Sequence, residues 1–430
     1  MNQEEFNQHL KKYLSKEDID QLNSSIDNNQ EMSCLYYDEE KIDEITLIKH
    51  FPFLIKHPLI NNAFIFEKKN HDIGKSLLFE IGAFYLLEPC SPLVSYFLNP
   101  NEDDLILDMC ASPGGKSITT SFIMKNKGQI IANEINSSRA EILSSNVEKY
   151  GRKNITVISS DIPSLHKRFK NTFTKIILDA PCSGSGMFRK DEKMKEDWSY
   201  QKVLRLSILQ KELILMAYDM LKEGGEIIYS TCSYSYEEDE EVIEYLLSNS
   251  NAELISLPNN EKFTYSPTLK QTIHLLPHKF IGEGHFIAKI KKPGNLIKVE
   301  YPKIKYLKTI KELSTYNHYL NNSNQIYLTN HLLDLKNYRL LRNGINIGTY
   351  DNKRGIIYDH NLGRTKLNIL PYLEVNEQEC KDYIFGLTLN KVVKDGYYVL
   401  TYLGIPFAIS IASKNTLKNH YPKGLRKKVL

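Results

Sequence analysis

The sequence predicts an α/β fold built on a doubly wound, mostly parallel sheet, with a small α+β segment before it and a basic segment after it. Three observations carry this. Short apolar runs alternate with helical patterns between Leu105 and Ile290, as in successive βα units. The first run breaks at paired glycines, Gly114 and Gly115, just before a helix. Two later runs each end in a cysteine, within Asp179-Ala-Pro-Cys182-Ser-Gly-Ser-Gly186 and Ser230-Thr-Cys232-Ser233. Open α/β sheets bind ligands at the carboxyl ends of their strands, so both thiols are expected to face one crevice.

The chain of 430 residues has room for two or three domains. Hydrophobic residues make up 41% and charged residues 25%, which fits a soluble protein with a sizeable core. No apolar run approaches the roughly 18 residues of a membrane span, and the polar start is unlike a signal peptide. Six cysteines without a Cys-x-x-Cys pair predict free thiols, a cytoplasmic location and no metal site. The net charge of +3 hides an asymmetry: residues 291–430 carry 23 Lys and Arg against 10 Asp and Glu, leaving a net of −10 for residues 1–290. A basic third on an acidic body points to a partner rich in phosphate.

Taken in order, residues 1–30 read as polar helix, with Ser15 an N-cap. Residues 31–75 mix short apolar runs with Pro52 and Pro58. Ser91-Pro92 opens a short helix to Leu98. Leu105 to Cys110 is a buried-type strand, followed by Ala111-Ser112-Pro113-Gly114-Gly115-Lys116 and a helix to Met124. Gln129 to Glu134 is a strand ending in an acid, 19 residues beyond Gly115, a spacing that suits a carboxylate on ribose hydroxyls. A helix from Arg139 to Tyr150 stops at Gly151, and a third strand ends at Asp161. Neither a dinucleotide fingerprint nor a Walker loop is present. One glycine pair with strand-end acids suits a nucleoside without phosphates, and S-adenosylmethionine meets that description. A strand-end Asp is equally often the cap of the next helix.

A long helix from Tyr200 to about Leu221 is expected to end on the Gly224-Gly225 signal, with the strand Glu226 to Thr231 after it. Ser235 and Glu238 read as a capping box, which would put a helix N-terminus beside Cys232 and favour its thiolate. A last strand, Gly282 to Ile290, leads to Lys291-Lys-Pro293-Gly294, the expected domain boundary. Beyond it, strands are suggested at Gly396 to Tyr402 and Phe407 to Ala412. Lys414 to Lys428 forms a basic run containing Tyr421.

At Met109-Cys-Ala-Ser-Pro-Gly-Gly-Lys116, Asp179 to Lys190, Ser230 to Tyr234, Gly282 to Phe286 and Leu417 to Leu425, the sequence resembles the Sun/Nop-type RNA cytosine-5 methyltransferases. Within them it is most similar to the bacterial RsmF-like ribosomal RNA enzymes. The resemblance implies three regions: an N-terminal accessory subdomain (1–78), a Rossmann-like class I methyltransferase domain (79–293), and a C-terminal region (294–430) ending in a PUA-like, β-rich RNA-binding domain. It implies that Cys110, Ala111, Ser112, Pro113, Gly114, Gly115 and Lys116 form the S-adenosylmethionine loop. Glu134 would hold the ribose, Asp161 the adenine end, and Asp179 the position between cofactor and base.

It further implies Cys232 as nucleophile and Cys182 as the thiol that helps product release. The expected partner is small-subunit ribosomal RNA, held by a monomer. Lys116, Arg189, Lys190, Lys418, His420, Lys423 and Arg426 are the expected RNA contacts. A transfer RNA enzyme and a non-catalytic ribosome-assembly factor are the alternatives.

Overall fold

The computed structural model describes residues 2–28, 31–299, 310–321, 323–331, 335 and 338–427. Its centre is a sheet whose parallel strands are β1 (Leu105–Asp108), β2 (Gln129–Asn133), β3 (Ile155–Ser159), β4 (Phe173–Asp179) and β5 (Leu221–Thr231). Their spatial order is β5-β4-β1-β2-β3, and β6 (His285–Lys291) lies antiparallel beside β5. The strands are apolar on both faces because helices cover both. Between them run α1 (Gly115–Ile123), α2 (Ser137–Tyr150), α3 (Ile162–Arg168) and α4 (Tyr200–Met220). The order reverses beside β1, placing a crevice at the ends of β1 and β4.

Two local signals act as predicted: Gly151 ends α2 at φ +63°, and the Ser15 hydroxyl caps its helix by accepting from Asp18 N. The Gly224-Gly225 pair does not end α4. The helix stops at Met220, and β5 begins at Leu221. The glycines form a bulge, because Phe173 faces Leu221 while Lys175 already faces Glu226. Gly225 packs where an added Cβ would lie 2.8 Å from Thr174 O, so the strand needs a glycine there.

The central sheet also takes in residues from beyond the expected boundary at 293. Strand Arg339–Asn343 pairs antiparallel with β3. Strands Met32–Tyr37, Ala63–Glu67, Ile55–Lys56 and Phe84–Leu87 form a separate four-stranded sheet. Its outer face shares a core with the C-terminal domain, where Leu47, Phe64 and Phe84 meet Tyr383, Phe407 and Leu417. The two N-terminal helices, Gln3–Leu10 and Lys16–Asp27, pack elsewhere. They bury Phe6, Leu10 and Leu22 against Phe188, Trp198 and Tyr234, directly behind the cysteine-bearing loops. No helix among the described residues is long and apolar enough to cross a membrane.

Candidate active site

Both cysteine loops leave the sheet at the carboxyl ends of adjacent strands, Cys182 after β4 and Cys232 after β5. Their sulfurs lie 3.2 Å apart as free thiols. Beside them is a cavity of 330 Å³ whose lining includes Cys232, Asp179, Lys116, Cys110, Ala111, Ser112, Pro113 and Gly115. Tyr85, Glu88, Ser91, Glu283 and His285 complete the opposite wall.

The distance between the sulfurs is set by a buried carboxylate. Glu238 is wholly buried; its Oε1 accepts from Ser183 N (2.8 Å) and Gln210 Nε2 (3.1 Å). Its Oε2 accepts from Ser183 Oγ (2.5 Å) and Ser233 Oγ (2.6 Å). One side chain therefore grips the residue after Cys182 and the residue after Cys232. This replaces the predicted capping box: the next helix begins only at Glu240, and the turn before it is held by Thr231 Oγ1 donating to Asp239 and Tyr229 Oη donating to Glu238 O. The helix end expected near Ser235 therefore lies at Asp239 and Glu240, and Asp239 is bonded to Thr231, the residue just before Cys232. The cysteine pair supplies another asymmetry. The neighbouring Cys232 sulfur and burial push the Cys182 thiol well up, so Cys182 keeps its proton and can donate it to Cys232.

Asp179 closes β4 and receives Lys116 Nζ at 2.6 Å on one oxygen and Ser230 Oγ at 2.7 Å on the other. Burial opposes its ionisation, but Lys116, His285 and these hydrogen bonds outweigh it and hold the carboxyl below its usual range. Lys116 is pushed up in turn, its own burial outweighed by Asp179. His285 is held down by burial first and by Lys116 second, which leaves a neutral imidazole on the wall.

The glycine loop is shaped for close approach. Gly114 sits at φ +113°, and a Cβ on Gly115 would stand 3.4 Å from the Tyr85 ring. Arg139 Nη2 donates to Ser112 O (3.1 Å) and Asn146 Nδ2 to Pro113 O (2.8 Å), so α2 pins the loop. Glu134 follows β2, buried, with Asn136 N at 2.9 Å and the Arg139 guanidinium at 3.3 Å. Asp108 Oδ2 accepts from Ser117 Oγ at 2.6 Å, while the buried Oδ1 has no hydrogen-bond partner among the described residues and its residue lines the cavity. Burial pushes Asp108 up to about 7. This set of an orphaned acceptor, a second buried acid and a glycine cradle fits a nucleoside.

Several expected residues are used differently. Asp161 is exposed and caps α3, accepting from Ser164 N (2.8 Å) and Ser164 Oγ (2.9 Å), and it lies outside the cavity lining. Arg189 is turned inward: Nε donates to Glu283 (2.7 Å) and Nη2 to Gly282 O (2.7 Å), bracing the Gly282 to His285 loop. Lys190 is half-buried near this loop, while Lys418, His420 and Lys423 are exposed on the C-terminal domain. Arg426 is partly buried against Tyr421 O and Asn419. Tyr421 is buried, donating to Glu80 and accepting from Arg364, so it is no stacking platform. Lys428 of the basic run lies outside the described residues.

Sequence reasoning assigned no site role to Arg139 or Ser230, and it read Glu238 as a helix cap. It also missed that Tyr13 donates to Tyr234 O (2.9 Å) and Lys12 to Glu237 (2.6 Å), fastening the N-terminal helices to the Thr-Cys loop. Asp239, Glu240 and His274 bring ligand-type atoms within 4.8 Å of one another in full burial, with His274 Nε2 2.8 Å from Glu240. Sequence spacing gave no sign of that group, because His274 comes from another strand.

A doubly wound sheet with a glycine loop, strand-end acids and a thiol-lined cavity defines a Rossmann-like methyltransferase. Residues 95–291 match the model of the 16S rRNA methyltransferase RsmB/F family, and residues 371–427 match that of the methyltransferase RsmF PUA domain. A tRNA (cytosine(49)-C(5))-methyltransferase of Pyrococcus abyssi is 35% identical over 63% of this chain and 87% of its own. The ribosomal RNA small subunit methyltransferase F of Aliivibrio salmonicida is 34% identical over 57% of this chain, which spans 54% of that relative's length. The structure of NSun6 from Pyrococcus horikoshii with SFG shares the fold at TM-score 0.61 and 22% identity, covering 68% of this chain and 98% of that one. The chain belongs to the RNA cytosine-C5 methyltransferase family.

Proposed function

We propose that this protein methylates carbon 5 of a cytosine in small-subunit ribosomal RNA through a covalent adduct on Cys232. The observation that carries this is that Cys232, 3.2 Å from the Cys182 sulfur, lines the same cavity as the Lys116–Asp179 pair. Carbon 5 of neutral cytosine is a weak nucleophile. Addition of the Cys232 thiolate at carbon 6 breaks the ring conjugation and makes carbon 5 enamine-like. Asp179, ionised beside Lys116, accepts from the cytosine amino group and so holds the ring against the cofactor. S-adenosylmethionine, held by Glu134 and the Cys110 to Lys116 loop, supplies an electrophilic methyl group. Loss of the carbon-5 proton to a base then restores the double bond and expels Cys232 as thiolate, which the Cys182 S–H stabilises. The cytosine must leave its stack to reach this cavity, so an unpaired or splayed target is required.

The rRNA assignment follows the matched RsmB/F and RsmF PUA models. The Pyrococcus abyssi relative favours transfer RNA as the second reading. Bisulfite sequencing of both RNA pools, after incubation with the protein and S-adenosylmethionine, separates them. Cys232→Ala should abolish transfer. Cys182→Ala should accumulate a protein–RNA adduct that survives denaturing electrophoresis. Full activity in Cys232→Ala would end the nucleophile assignment.

A further inference from the structure

A second cavity lies on the opposite edge of the sheet from the cysteines. Its volume is 840 Å³, against 330 Å³ for the thiol-lined one. One wall is formed by Lys125 to Lys127 and Gly151 to Lys153. These segments lead into β2 and β3, so they sit at the amino ends of the parallel strands. Cys182, Cys232, Glu134 and Asp179 all lie at carboxyl ends. The other walls come from Asp38 to Lys41 of the N-terminal segment and Arg364 to Asn368 of the C-terminal one. Four stretches, from the N-terminal, central and C-terminal parts of the chain, thus help enclose one space.

The lining is strongly cationic, and only part of that charge is matched. Arg152 pairs with Asp38, and Lys127 with Glu102 at 2.5 Å. Arg364 donates to Glu80 O and Tyr421 Oη. Among the described residues, no acidic side chain lies within ion-pair distance of Lys41, Lys125, Lys153 or Lys366. Lys41 is 8% exposed, and its ammonium donates only to the carbonyls of Gly82 (3.3 Å) and Tyr150 (3.1 Å). Burial first, then Arg364 and Lys366, push Lys41 down to about 7. Arg152 Nε is buried without a hydrogen-bond partner among the described residues. Gathering like charges in a half-buried space is unfavourable unless an anion enters it.

We propose that this cavity binds backbone phosphates of the RNA substrate at a point remote from the target cytosine. The inference rests on the RNA reading given under "Proposed function" and adds a second contact to it. Phosphate contacts of this kind position a strand without reading its bases, which suits a lining of ammonium groups. A five-residue strand is about 17 Å long, so an RNA engaging both edges must cross more than that distance. A long RNA therefore reaches the cavity and the thiols together, whereas a minimal oligonucleotide reaches the thiols alone.

The test compares the full-length protein with the double variant Lys125→Ala, Lys153→Ala, and with a charge-matched control, Lys69→Ala, Lys262→Ala, on exposed surface elsewhere. Binding to a long rRNA fragment is measured across a salt series, without cofactor. The cavity variant should bind severalfold more weakly, and its plot of log affinity against log salt should flatten by about 2 units relative to wild type, one for each phosphate left without its lysine. The control should match wild type. Methyl transfer to a minimal oligonucleotide by the cavity variant should also match wild type. Equal affinity and slope for cavity and control variants would overturn the proposal while leaving the methyltransferase reading intact. A wild type that transfers no methyl group would sink the latter, yet the salt series would still decide the cavity.

Discussion

The ionisation of Asp179 should depend on Lys116, and Lys116→Met tests this. The two side chains are only 13% and 28% exposed and lie 2.6 Å apart. At an effective dielectric constant of about 20, that separation corresponds to about 6 kcal/mol of gross attraction. Removing that charge leaves burial unopposed by its strongest counterweight, so Asp179 moves to higher pH. The sign follows from the environment. Burial already opposes ionisation, and Lys116 is the first of the groups that overcome it. In the wild type, the carboxyl stays charged through the ordinary carboxylate range and is protonated only as the pH falls below it. In the variant, burial dominates and the carboxyl stays protonated into a higher range. A protonated Asp179 no longer offers both oxygens as acceptors to the cytosine amino group. The acid limb of kcat/KM against pH should therefore move to higher pH in Lys116→Met, and Lys116→Arg should leave it nearly in place. Cofactor titration of both variants checks that the glycine loop still stands. An acid limb that stays where it is in Lys116→Met, with the cofactor still bound, would refute the reasoning.

Two further substitutions probe the supports of the site. Glu238→Ala strips the shared acceptor from Ser183, Gln210 and Ser233, and should lower stability by about 2–4 kcal/mol in urea unfolding. Glu238→Gln should be much milder, because its carbonyl replaces one oxygen and the serine hydroxyls can turn to accept from its amide. Equal losses for the two would show that the hydrogen bonds to Glu238 do not hold the loops. Asp108 is raised by burial from 3.8 to about 7, so its folded form grips the proton more tightly than the unfolded chain. Its contribution is complete below the unfolded value and is lost as the pH rises through about 7. Asp108→Asn should therefore gain on the wild type in thermal midpoint between pH 4 and 8, and a difference that is flat with pH would contradict the burial argument.

What could be read from the sequence divides according to how local the cause is. The strands, Gly151 as a helix stop, the Gly114-Gly115 break and both strand-end thiols depend on a few neighbouring residues, and all stand where expected. Asp161 shows the limit of such signals: capping and ligand binding both ask for an acid at a strand end, and its bond to Ser164 N establishes the cap alone. Ser235 and Glu238 show tertiary bonds overriding a local pattern. Their spacing suits a capping box, but Tyr229 and Thr231 hold the turn open, and Glu238 is drawn under Ser183, 55 residues away. The destination of the N-terminal helices was equally hidden, since the bond from Tyr13 to Tyr234 O spans 221 residues. The same division applies to the chemistry. The identity of the two thiols is local, but their 3.2 Å separation is not. It exists because one carboxylate, at the end of the turn that carries Cys232, also binds the loop that carries Cys182, and a thiol pair a few ångströms wider could no longer pass a proton from one sulfur to the other.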